Sequence, residues 1–382
     1  MKAYIFPGQG SQAKGMGGEL FDKFDHLTQK ADKILGYSIK DLCLQDPNKE
    51  LNLTQFTQPA LFIVNAFSYF NALQEADTQP DFVMGHSLGE FNALLAAGCF
   101  DFETGLKLVI KRSELMSQAT NGGMAAILNA TEQEIIAILE SNGLDQIDLA
   151  NFNSQKQIVI SGSKEQIDKA HTYFSTSQFM FIPLNTSGAF HSRLMADAKA
   201  QFEQYLNGFE FSAPAFPVIA NFTAKPYETN NIKQTLASQI AGSVRWFESV
   251  KRVLDIANQA NEELEFIECG HGEVQTKMIT KIKRELDIKP INNKPKIVEA
   301  KQAPSPEVGK HVYVEASKSI SPVEKIQQWN SCFPVGSKFK SDMTDFGVLR
   351  SCTEATVLFG HRAAVYMEGV KGYFDIDQLT EA

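Results

Sequence analysis

The feature that most constrains how this chain can fold is a G-x-S-x-G sequence at residues 85–89. Residues 81–84 before it predict a short buried strand, and residues 90–97 after it predict a helix. In such a strand–turn–helix, Gly85 and Gly89 allow strand and helix to approach closely, and Ser87 occupies a strained turn that exposes its hydroxyl. The sequence therefore predicts a nucleophile elbow. The alternative is a glycine-rich turn that carries an incidental serine.

The helix that follows this turn directs its N-terminus at Ser87. Free backbone N–H groups and partial positive charge at that end favour an acyl-transfer oxyanion, and the N–H of Leu88 is the expected first donor. A second donor is expected from the loop at residues 8–12, which follows a short apolar strand, with Gln9 as the candidate. That loop matches neither G-x-x-x-x-G-K-[ST] nor G-x-G-x-x-G, so a nucleotide site is not favoured there.

Composition argues against several classes of protein. The chain of 382 residues has 43% hydrophobic residues and a formal net charge of -9, without a basic run, which disfavours nucleic-acid binding. No apolar stretch approaches the roughly eighteen residues of a membrane span, and the N-terminal one is too short for a signal peptide. The five cysteines lack C-x-x-C spacing, so we expect reduced thiols in a cytoplasmic protein and no metal site.

A change of pattern at residues 123–192 predicts a separate small domain. Two helices that begin at capping boxes, at residues 131–134 and 163–166, alternate with strands in the order β-α-β-β-α-β. That order is the ferredoxin-like arrangement. We therefore expect an α/β fold in which this subdomain is inserted in, or packs against, a larger domain made of residues 1–122 and 193–288. The four predicted strands lie at residues 124–128, 147–152, 157–161 and 179–184.

A histidine and an arginine are the remaining candidates for chemistry. A lone histidine is more often a surface residue, but a neutral imidazole is the best base for a serine hydroxyl, and His191 lies on a loop between the two domains. His86 belongs to the elbow, and the other histidines have no companion motif, so His191 is the preferred base. No acidic residue is placed to orient it, and a backbone carbonyl is the expected partner. Arg112, on a predicted amphipathic helix, is by itself expected to face solvent.

Several short motifs follow one another along about residues 1–288, and they are Gly8-Gln9-Gly10-Ser11-Gln12, Gln58-Pro59-Ala60, Gly85-His86-Ser87-Leu88-Gly89-Glu90, Arg112 with Met116, Gly123-Met124-Ala125-Ala126-Ile127, Asn151-Phe152-Asn153, Gly188-Ala189-Phe190-His191-Ser192 and Trp246. In this order the set resembles the malonyl-CoA:acyl carrier protein transacylases. The resemblance implies an α/β-hydrolase-like large domain with an inserted ferredoxin-like subdomain.

The resemblance also implies a reaction. Ser87 and His191 would form a dyad that works by a ping-pong route, through a malonyl-serine ester that is attacked by the phosphopantetheine thiol of an acyl carrier protein. The N–H groups of Gln9 and Leu88 would form the oxyanion hole. Malonyl-CoA and carrier protein domains would be the partners, and no cofactor or metal is implied.

Three further residues take roles from the resemblance alone. Arg112 would pair bidentately with the malonyl carboxylate, which needs a planar cation that is always charged. The main-chain carbonyl of Gln239 would orient His191, and the ring of Phe190 would fill the space of an α-methyl branch. The Gly-Ala-Phe-His form is closer to free-standing acyltransferases that serve polyketide synthases in trans than to the fatty-acid enzyme.

The C-terminal part lies beyond the resemblance. Residues 289–310 contain several prolines and predict a linker, and residues 311–382 predict a small β-rich extension of unknown role. This part is similar to the junction that follows the acyltransferase where an enoyl reductase is fused downstream. We therefore expect the chain to be one portion of a longer polypeptide.

Two other functions stay open on the sequence. One is a hydrolase of the same family, which would clear stalled acyl chains from carrier proteins with Ser87, His191 and water. The other is a non-catalytic scaffold whose tail docks on a synthase. Arg112 counts against the hydrolase, and an intact dyad counts against the scaffold.

Overall fold

A computed structural model of the protein describes residues 1–75, 79–175, 178–186 and 188–288, and, nearer the C-terminus, residues 322–341, 348–351, 353, 355–358, 362–366, 373–376 and 379–381. The chain forms two compact units, Met1–Ile291 and Asn292–Ala382. The fold is α/β. The predicted linker at residues 289–310 lies outside the described residues. In the described part of the chain no helix is long and apolar enough to cross a membrane.

Within its described residues the first unit contains twelve helices and eight strands, which are, in chain order, β1 (Lys2–Phe6), α1 (Leu20–Lys23), α2 (Asp25–Leu35), α3 (Ile39–Leu44), α4 (Thr54–Glu75), β2 (Phe82–Gly85), α5 (Gly89–Ala96), α6 (Phe102–Ser117), β3 (Gly122–Leu128), α7 (Glu132–Ser141), β4 (Asp148–Ser154), β5 (Gln157–Ser163), α8 (Lys164–Ser175), β6 (Met180–Pro183), α9 (Ala196–Leu206), β7 (Val218–Ile219), α10 (Ile232–Ala241), α11 (Trp246–Gln259), β8 (Glu265–Glu268) and α12 (Val274–Glu285). Two single turns of 3-10 helix, Arg193–Met195 and Thr229–Asn231, precede α9 and α10.

A parallel sheet in the order β7-β2-β1-β8 forms the centre of this unit. Alternate residues of β1 enter two different hydrophobic clusters: Tyr4 and Phe6 lie in one, and Ala3 and Ile5 lie in the other. The sheet is therefore buried on both faces, as parallel sheets are. Phe6 pairs with Gly85 at the carboxyl ends of β1 and β2, so the loops that follow these two strands lie at the same edge.

An antiparallel sheet in the order β4-β5-β3-β6 forms from residues 122–183. The predicted order of strands and helices is found here, and the first of the two predicted capping boxes is formed by Thr131 and Glu134 at the start of α7. The second is only half formed: Ser163 Oγ accepts from the N–H of Gln166 at 3.3 Å, but the side-chain oxygen of Gln166 has no partner among the described residues. Helices α7 and α8 contribute to a separate hydrophobic cluster with β3 and β5. Backbone hydrogen bonds of Val244 with Ala150 and Phe152 attach β4 to the segment before α11.

Helix α4 begins earlier than the sequence predicts. The sequence Gln58-Pro59-Ala60 by itself predicts a helix with proline in its first turn. This prediction is wrong, because α4 starts at Thr54 and Pro59 lies inside it. Proline has no N–H, so the carbonyl of Gln55 loses its helical donor. The hydroxyl of Ser113 on α6 lies 3.5 Å from that carbonyl, but its shorter bond, at 2.9 Å, is to the carbonyl of Ile110. Because a hydroxyl has one proton, this contact does not replace the missing bond.

The second unit contains one helix and six short strands in its described residues, which are α13 (Pro322–Cys332), β9 (Lys338–Ser341), β10 (Leu349–Arg350), β11 (Thr356–Leu358), β12 (Arg362–Tyr366), β13 (Tyr373–Asp375) and β14 (Leu379–Glu381). The strands form two three-stranded sheets, β10-β9-β14 and β11-β12-β13. The sequence analysis expected β structure here and missed α13. The ring of Trp329 on α13 stacks on Phe339 of β9 at 4.7 Å, which gives this unit its own core.

Candidate active site

The turn between β2 and α5 has the geometry of a strained elbow. Ser87 has a φ of 51°, in the left-handed region that few residues other than glycine adopt. A Cβ on Gly85 would overlap the backbone of Gly89, and a Cβ on Gly89 would overlap the carbonyl of Phe6. Both glycines are therefore required for strand and helix to approach this closely, and Ser87 is held at the apex.

Asn221, directly beyond β7, fixes this turn from the neighbouring strand. Its Oδ1 accepts a hydrogen bond from the backbone N–H of Ser87 at 2.7 Å, and its Nδ2 donates to the carbonyl of Gly85 at 2.7 Å. A side chain that satisfies the N–H of the strained residue and the carbonyl two residues before it stabilises this conformation. The sequence analysis gave no role to Asn221. Its position just after a strand of the parallel sheet was the available signal.

The other histidine of the elbow ties the turn to the antiparallel sheet. His86 Nε2 lies 2.8 Å from Oδ1 of Asn153 on β4, and its ring packs edge-on against Trp246 at 5.6 Å. Burial lowers the pKa of His86, so this imidazole is neutral at physiological pH. His86 is accordingly a link between the two sheets.

Ser87 and His191 meet in the structure, as the sequence analysis expected. Ser87 Oγ lies 2.8 Å from His191 Nε2, and His191 Nδ1 lies 2.8 Å from the main-chain carbonyl oxygen of Gln239. Because a carbonyl only accepts, the imidazole proton is on Nδ1, and Nε2 is free to accept the serine proton. Burial, and then the charge of Arg112, lower the pKa of His191 to about 3, so the imidazole is neutral at physiological pH.

Arg112 on α6 is buried with 1% of its surface exposed, so the expectation of a solvent-facing arginine is wrong. Its Nη1 donates to Oε1 of Gln58 at 2.6 Å. Its Nη2 donates to Oε1 of Gln239 at 2.9 Å and to Oγ of Ser87 at 3.1 Å. The buried Nε has no acceptor among the described residues. Burial lowers the pKa of Arg112 to about 10, which leaves the guanidinium charged at neutral pH.

Glu90, at the start of α5, is a fully buried carboxylate next to this arrangement. Its Oε2 accepts from the backbone N–H of Asn221 at 3.0 Å and from Nε2 of Gln239 at 2.9 Å, and its Oε1 accepts from the hydroxyl of Tyr227. Burial raises the pKa of Glu90 to about 7. The sequence analysis missed it. The available signal for its burial was that Glu90 is the acidic residue of the otherwise largely apolar helix α5.

The two expected oxyanion donors, Gln9 and Leu88, and the residue Phe190 lie on the segments next to Ser87 and His191. Leu88 directly follows the apex, and Gln9 lies on the loop after β1, at the same edge of the sheet. The N–H groups of Gln9 and Leu88 donate to no acceptor within the described part of the chain. Phe190 is 5% exposed and belongs to the main hydrophobic cluster immediately before His191. Among the described residues, no group of three or more His, Cys, Asp or Glu is placed to hold a metal.

This arrangement can perform acyl transfer. A serine hydroxyl is hydrogen-bonded to a neutral, oriented imidazole, and backbone N–H groups without a partner lie on the adjoining segments. The buried guanidinium of Arg112 also contacts the serine hydroxyl. A cation at this place can bind the negative charge of an acyl group that carries a carboxylate.

Comparison with known proteins agrees with this chemistry. Residues 3–303 match the family model described as an acyl transferase domain. The polyketide biosynthesis malonyl CoA-acyl carrier protein transacylase BaeC of Bacillus velezensis is 52% identical over 292 residues, which are 76% of this chain and 99% of that protein.

Two solved structures resemble the chain. The crystal structure of malonyl CoA-acyl carrier protein transacylase from Burkholderia pseudomallei has a TM-score of 0.73 and 52% identity, over 75% of this chain and 98% of that one. A malonyl-transacylase in complex with its type II PKS acyl-carrier protein has a TM-score of 0.68 and 32% identity, over 74% and 92% of the two chains.

Proposed function

Because the chain belongs to the acyl transferase domain family, we propose that it is a malonyl-CoA:acyl carrier protein transacylase. It transfers a malonyl group from malonyl-CoA to Ser87, and from Ser87 to the phosphopantetheine thiol of an acyl carrier protein. The observation that carries the proposal is the buried guanidinium of Arg112, 3.1 Å from Oγ of a serine that is itself hydrogen-bonded to a neutral histidine.

In the first half of the reaction Ser87 Oγ attacks the thioester carbonyl of malonyl-CoA while its proton passes to His191 Nε2. The charged imidazole is stabilised by the carbonyl of Gln239, 2.8 Å from Nδ1. The N–H groups of Gln9 and Leu88 stabilise the oxyanion. Collapse of the tetrahedral intermediate breaks the C–S bond, and the proton on Nε2 passes to the departing CoA sulfur.

The second half reverses these steps with a different thiol. The phosphopantetheine thiol gives its proton to His191 Nε2 and its sulfur attacks the malonyl-serine carbonyl. Cleavage of the ester C–O bond then returns the proton from Nε2 to Ser87 Oγ. The low pKa of His191, about 3, keeps it neutral and ready to accept a proton at the start of each half.

Two residues select the malonyl group. The carboxylate pairs with Arg112, whose guanidinium is held by Gln58 and Gln239 and still has a buried Nε without a partner in the described residues. Phe190 occupies the space that an α-methyl branch of the acyl group would need. A fixed cation favours malonyl over neutral acyl groups, and the ring favours malonyl over branched ones.

The finer description of the fold also belongs to this proposal. The large domain is α/β-hydrolase-like, with a ferredoxin-like subdomain inserted at residues 123–192. Support comes from the order β3-α7-β4-β5-α8-β6 and from the antiparallel sheet β4-β5-β3-β6, in which the first and third strands of the set are central. His191 follows the last strand of the subdomain, β6, and lies at the end of this range, so the base lies where the two parts meet.

The product supplies extender units for polyketide or fatty-acid synthesis. The 52% identity to a protein named for polyketide biosynthesis favours the polyketide pathway. The buried cysteines Cys43, Cys99 and Cys269 are free thiols, which supports a reducing, cytoplasmic location.

Intact-mass measurement after incubation with malonyl-CoA tests the proposal. We expect the protein to gain one malonyl group, which remains until a carrier protein with a phosphopantetheine arm is added. Ser87→Ala should gain none, because only the attacking oxygen is removed. Undiminished labelling of this variant would place the nucleophile elsewhere. Rapid loss of the ester to water without a carrier protein would instead indicate a hydrolase.

A further inference from the structure

The carboxylate of Glu90 is buried beside the proposed site but takes no part in the bonds that form and break there. We propose that Glu90 is a positioning residue, whose carboxylate fixes the side-chain amide of Gln239 and, through that amide, the malonyl-binding guanidinium of Arg112. This inference rests on the proposed malonyl transfer. It assigns a role to the side chain of Gln239, whose main-chain carbonyl is already bonded to His191.

The side-chain amide of Gln239 lies between the guanidinium of Arg112 and the carboxylate of Glu90. Its Oε1 accepts from Arg112 Nη2 at 2.9 Å, and its Nε2 donates to Glu90 Oε2 at 2.9 Å and to the carbonyl of Ser87 at 2.7 Å. Gln239 has no exposed surface, so water does not provide alternative partners. The orientation of this amide therefore determines whether an oxygen or an NH₂ group faces the guanidinium of Arg112.

Only one of the two amide orientations suits these neighbours. Rotation by half a turn would place the amide oxygen against the Glu90 carboxylate and the Ser87 carbonyl, all of which accept, and would place the NH₂ group against the Arg112 guanidinium, which only donates. Each contact would then join two acceptors or two donors. A carboxylate, which accepts at both oxygens when ionised, thus selects the orientation in which Oε1 faces Arg112.

The carboxylate of Glu90 is itself held in place. Its Oε2 also accepts from the N–H of Asn221 at 3.0 Å, and its Oε1 accepts from the hydroxyl of Tyr227. Asn221 in turn accepts from the N–H of Ser87 at 2.7 Å. The same carboxylate therefore bonds both residues that hold the site: Gln239, which contacts Arg112, and Asn221, which contacts the N–H of Ser87.

A pair of variants separates the position of the carboxylate from its charge. Glu90→Asp keeps the charge but withdraws both oxygens by about 1.5 Å, the length of a C–C bond, which moves them out of reach of Gln239. Glu90→Gln loses the charge but keeps an oxygen where Oε2 stands, so that Gln239 and Asn221 still have their acceptor. Its NH₂ group then donates to the hydroxyl oxygen of Tyr227.

The measurement is the ratio of kcat/KM for acylation by malonyl-CoA to that for acylation by acetyl-CoA. The fraction of folded protein scales both rates equally, so a merely structural defect leaves this ratio unchanged. We expect Glu90→Asp to lower the ratio about tenfold, which corresponds to about 1.4 kcal/mol. Glu90→Gln should keep the ratio within about threefold of the original protein, which is rescue by the variant that retains the acceptor position.

A double-mutant cycle with Gln239→Met tests whether Glu90 acts through the amide. Methionine removes the amide and leaves the main-chain carbonyl that His191 uses. We expect Gln239→Met to lower the ratio about as far as Glu90→Asp, and the double variant to lower it no further.

Three results would overturn the inference: an unchanged ratio in Glu90→Asp, an equal fall in Glu90→Gln and Glu90→Asp, or an undiminished effect of Glu90→Asp in the Gln239→Met background. The second result would assign Glu90 a purely electrostatic role. Failure of the original protein to accept a malonyl group from malonyl-CoA would refute the proposed function, and this inference with it. Malonylation with an unmoved ratio would refute the inference alone.

Discussion

Truncation of Arg112 should separate malonyl transfer from transfer of neutral acyl groups. In Arg112→Ala the malonyl carboxylate would enter a buried site without its cation. An uncompensated buried charge costs about 3 kcal/mol or more, which corresponds to at least about two powers of ten in rate. Acetyl transfer lacks this charge. It also keeps the contact of 2.8 Å between Ser87 Oγ and His191 Nε2, and it loses the hydrogen bond of 3.1 Å by which Arg112 occupies a lone pair of the attacking oxygen. The acetyl rate should therefore be preserved or rise.

The same substitution should destabilise the protein. It leaves the side-chain oxygens of Gln58 and Gln239 buried without the donors that now lie at 2.6 Å and 2.9 Å. Each orphaned acceptor costs about 1–3 kcal/mol, so the free energy of unfolding should fall by about 2 kcal/mol or more. Arg284→Ala is a matched control, since Arg284 is exposed on α12. It should change neither the rates nor the stability.

The assay is the rate of acyl-enzyme formation with malonyl-CoA and with acetyl-CoA, read by intact mass, together with thermal unfolding of each variant. Rates are divided by the folded fraction at the assay temperature. A steep malonyl loss with an unchanged or faster acetyl reaction supports the carboxylate-binding role. Equal losses for the two substrates would refute it and make Arg112 a purely structural residue.

Three further predictions address the base and the boundary of the catalytic part. His191→Ala should lower malonyl acylation by about two to four powers of ten, the range for loss of a positioned base, and a fall below threefold would refute the dyad. The burial that lowers the pKa of His191 to about 3 means that protonation removes the base only at low pH, so the rate of acylation by acetyl-CoA, which does not depend on the support of Arg112 by Glu90, should be flat from pH 8 to pH 5. The malonyl rate does not serve here, because burial raises the pKa of Glu90 to about 7, inside that range. An ordinary histidine with a pKa of about 6.5 would lose about thirtyfold over that range, and such a loss in protein that circular dichroism shows to be folded would contradict the shift. A chain that ends at Ile288 should fold and accept a malonyl group, because the hydrophobic clusters of the first unit draw on residues before that point. An insoluble or inactive product would place the C-terminal unit in the catalytic domain.

The sequence predicts local features of this protein well. The elbow follows from two glycines that its close approach requires, and all of its residues lie within one short stretch. The element order of residues 123–183 follows from alternation and from a capping box at Thr131, which are also local signals. The predicted linker at residues 289–310 stays a prediction.

Local signals do not predict the burial of Arg112 and Glu90, because each of these residues is buried with partners that are distant in sequence. Arg112 bonds Gln58 and Gln239, which are 54 and 127 residues away, and Glu90 bonds Tyr227, which is 137 residues away. A charged residue is buried only when such partners are present, and spacing along one helix does not reveal them. The resemblance to a family supplied the place of Arg112 and gave no role to Glu90.

The proposed dyad also joins distant parts of the chain. Ser87 and His191 are 104 residues apart in sequence, and the strands of the antiparallel sheet lie between them. Ser87 and Gln239, which carries the carbonyl for His191, are 152 residues apart. Contacts of such high sequence separation form slowly, because a long loop must close before they contribute. During refolding, transferase activity should therefore return in the last kinetic phase, after the helical signal has recovered. Regained activity thus reports on complete long-range assembly of the chain, which helical content alone does not measure.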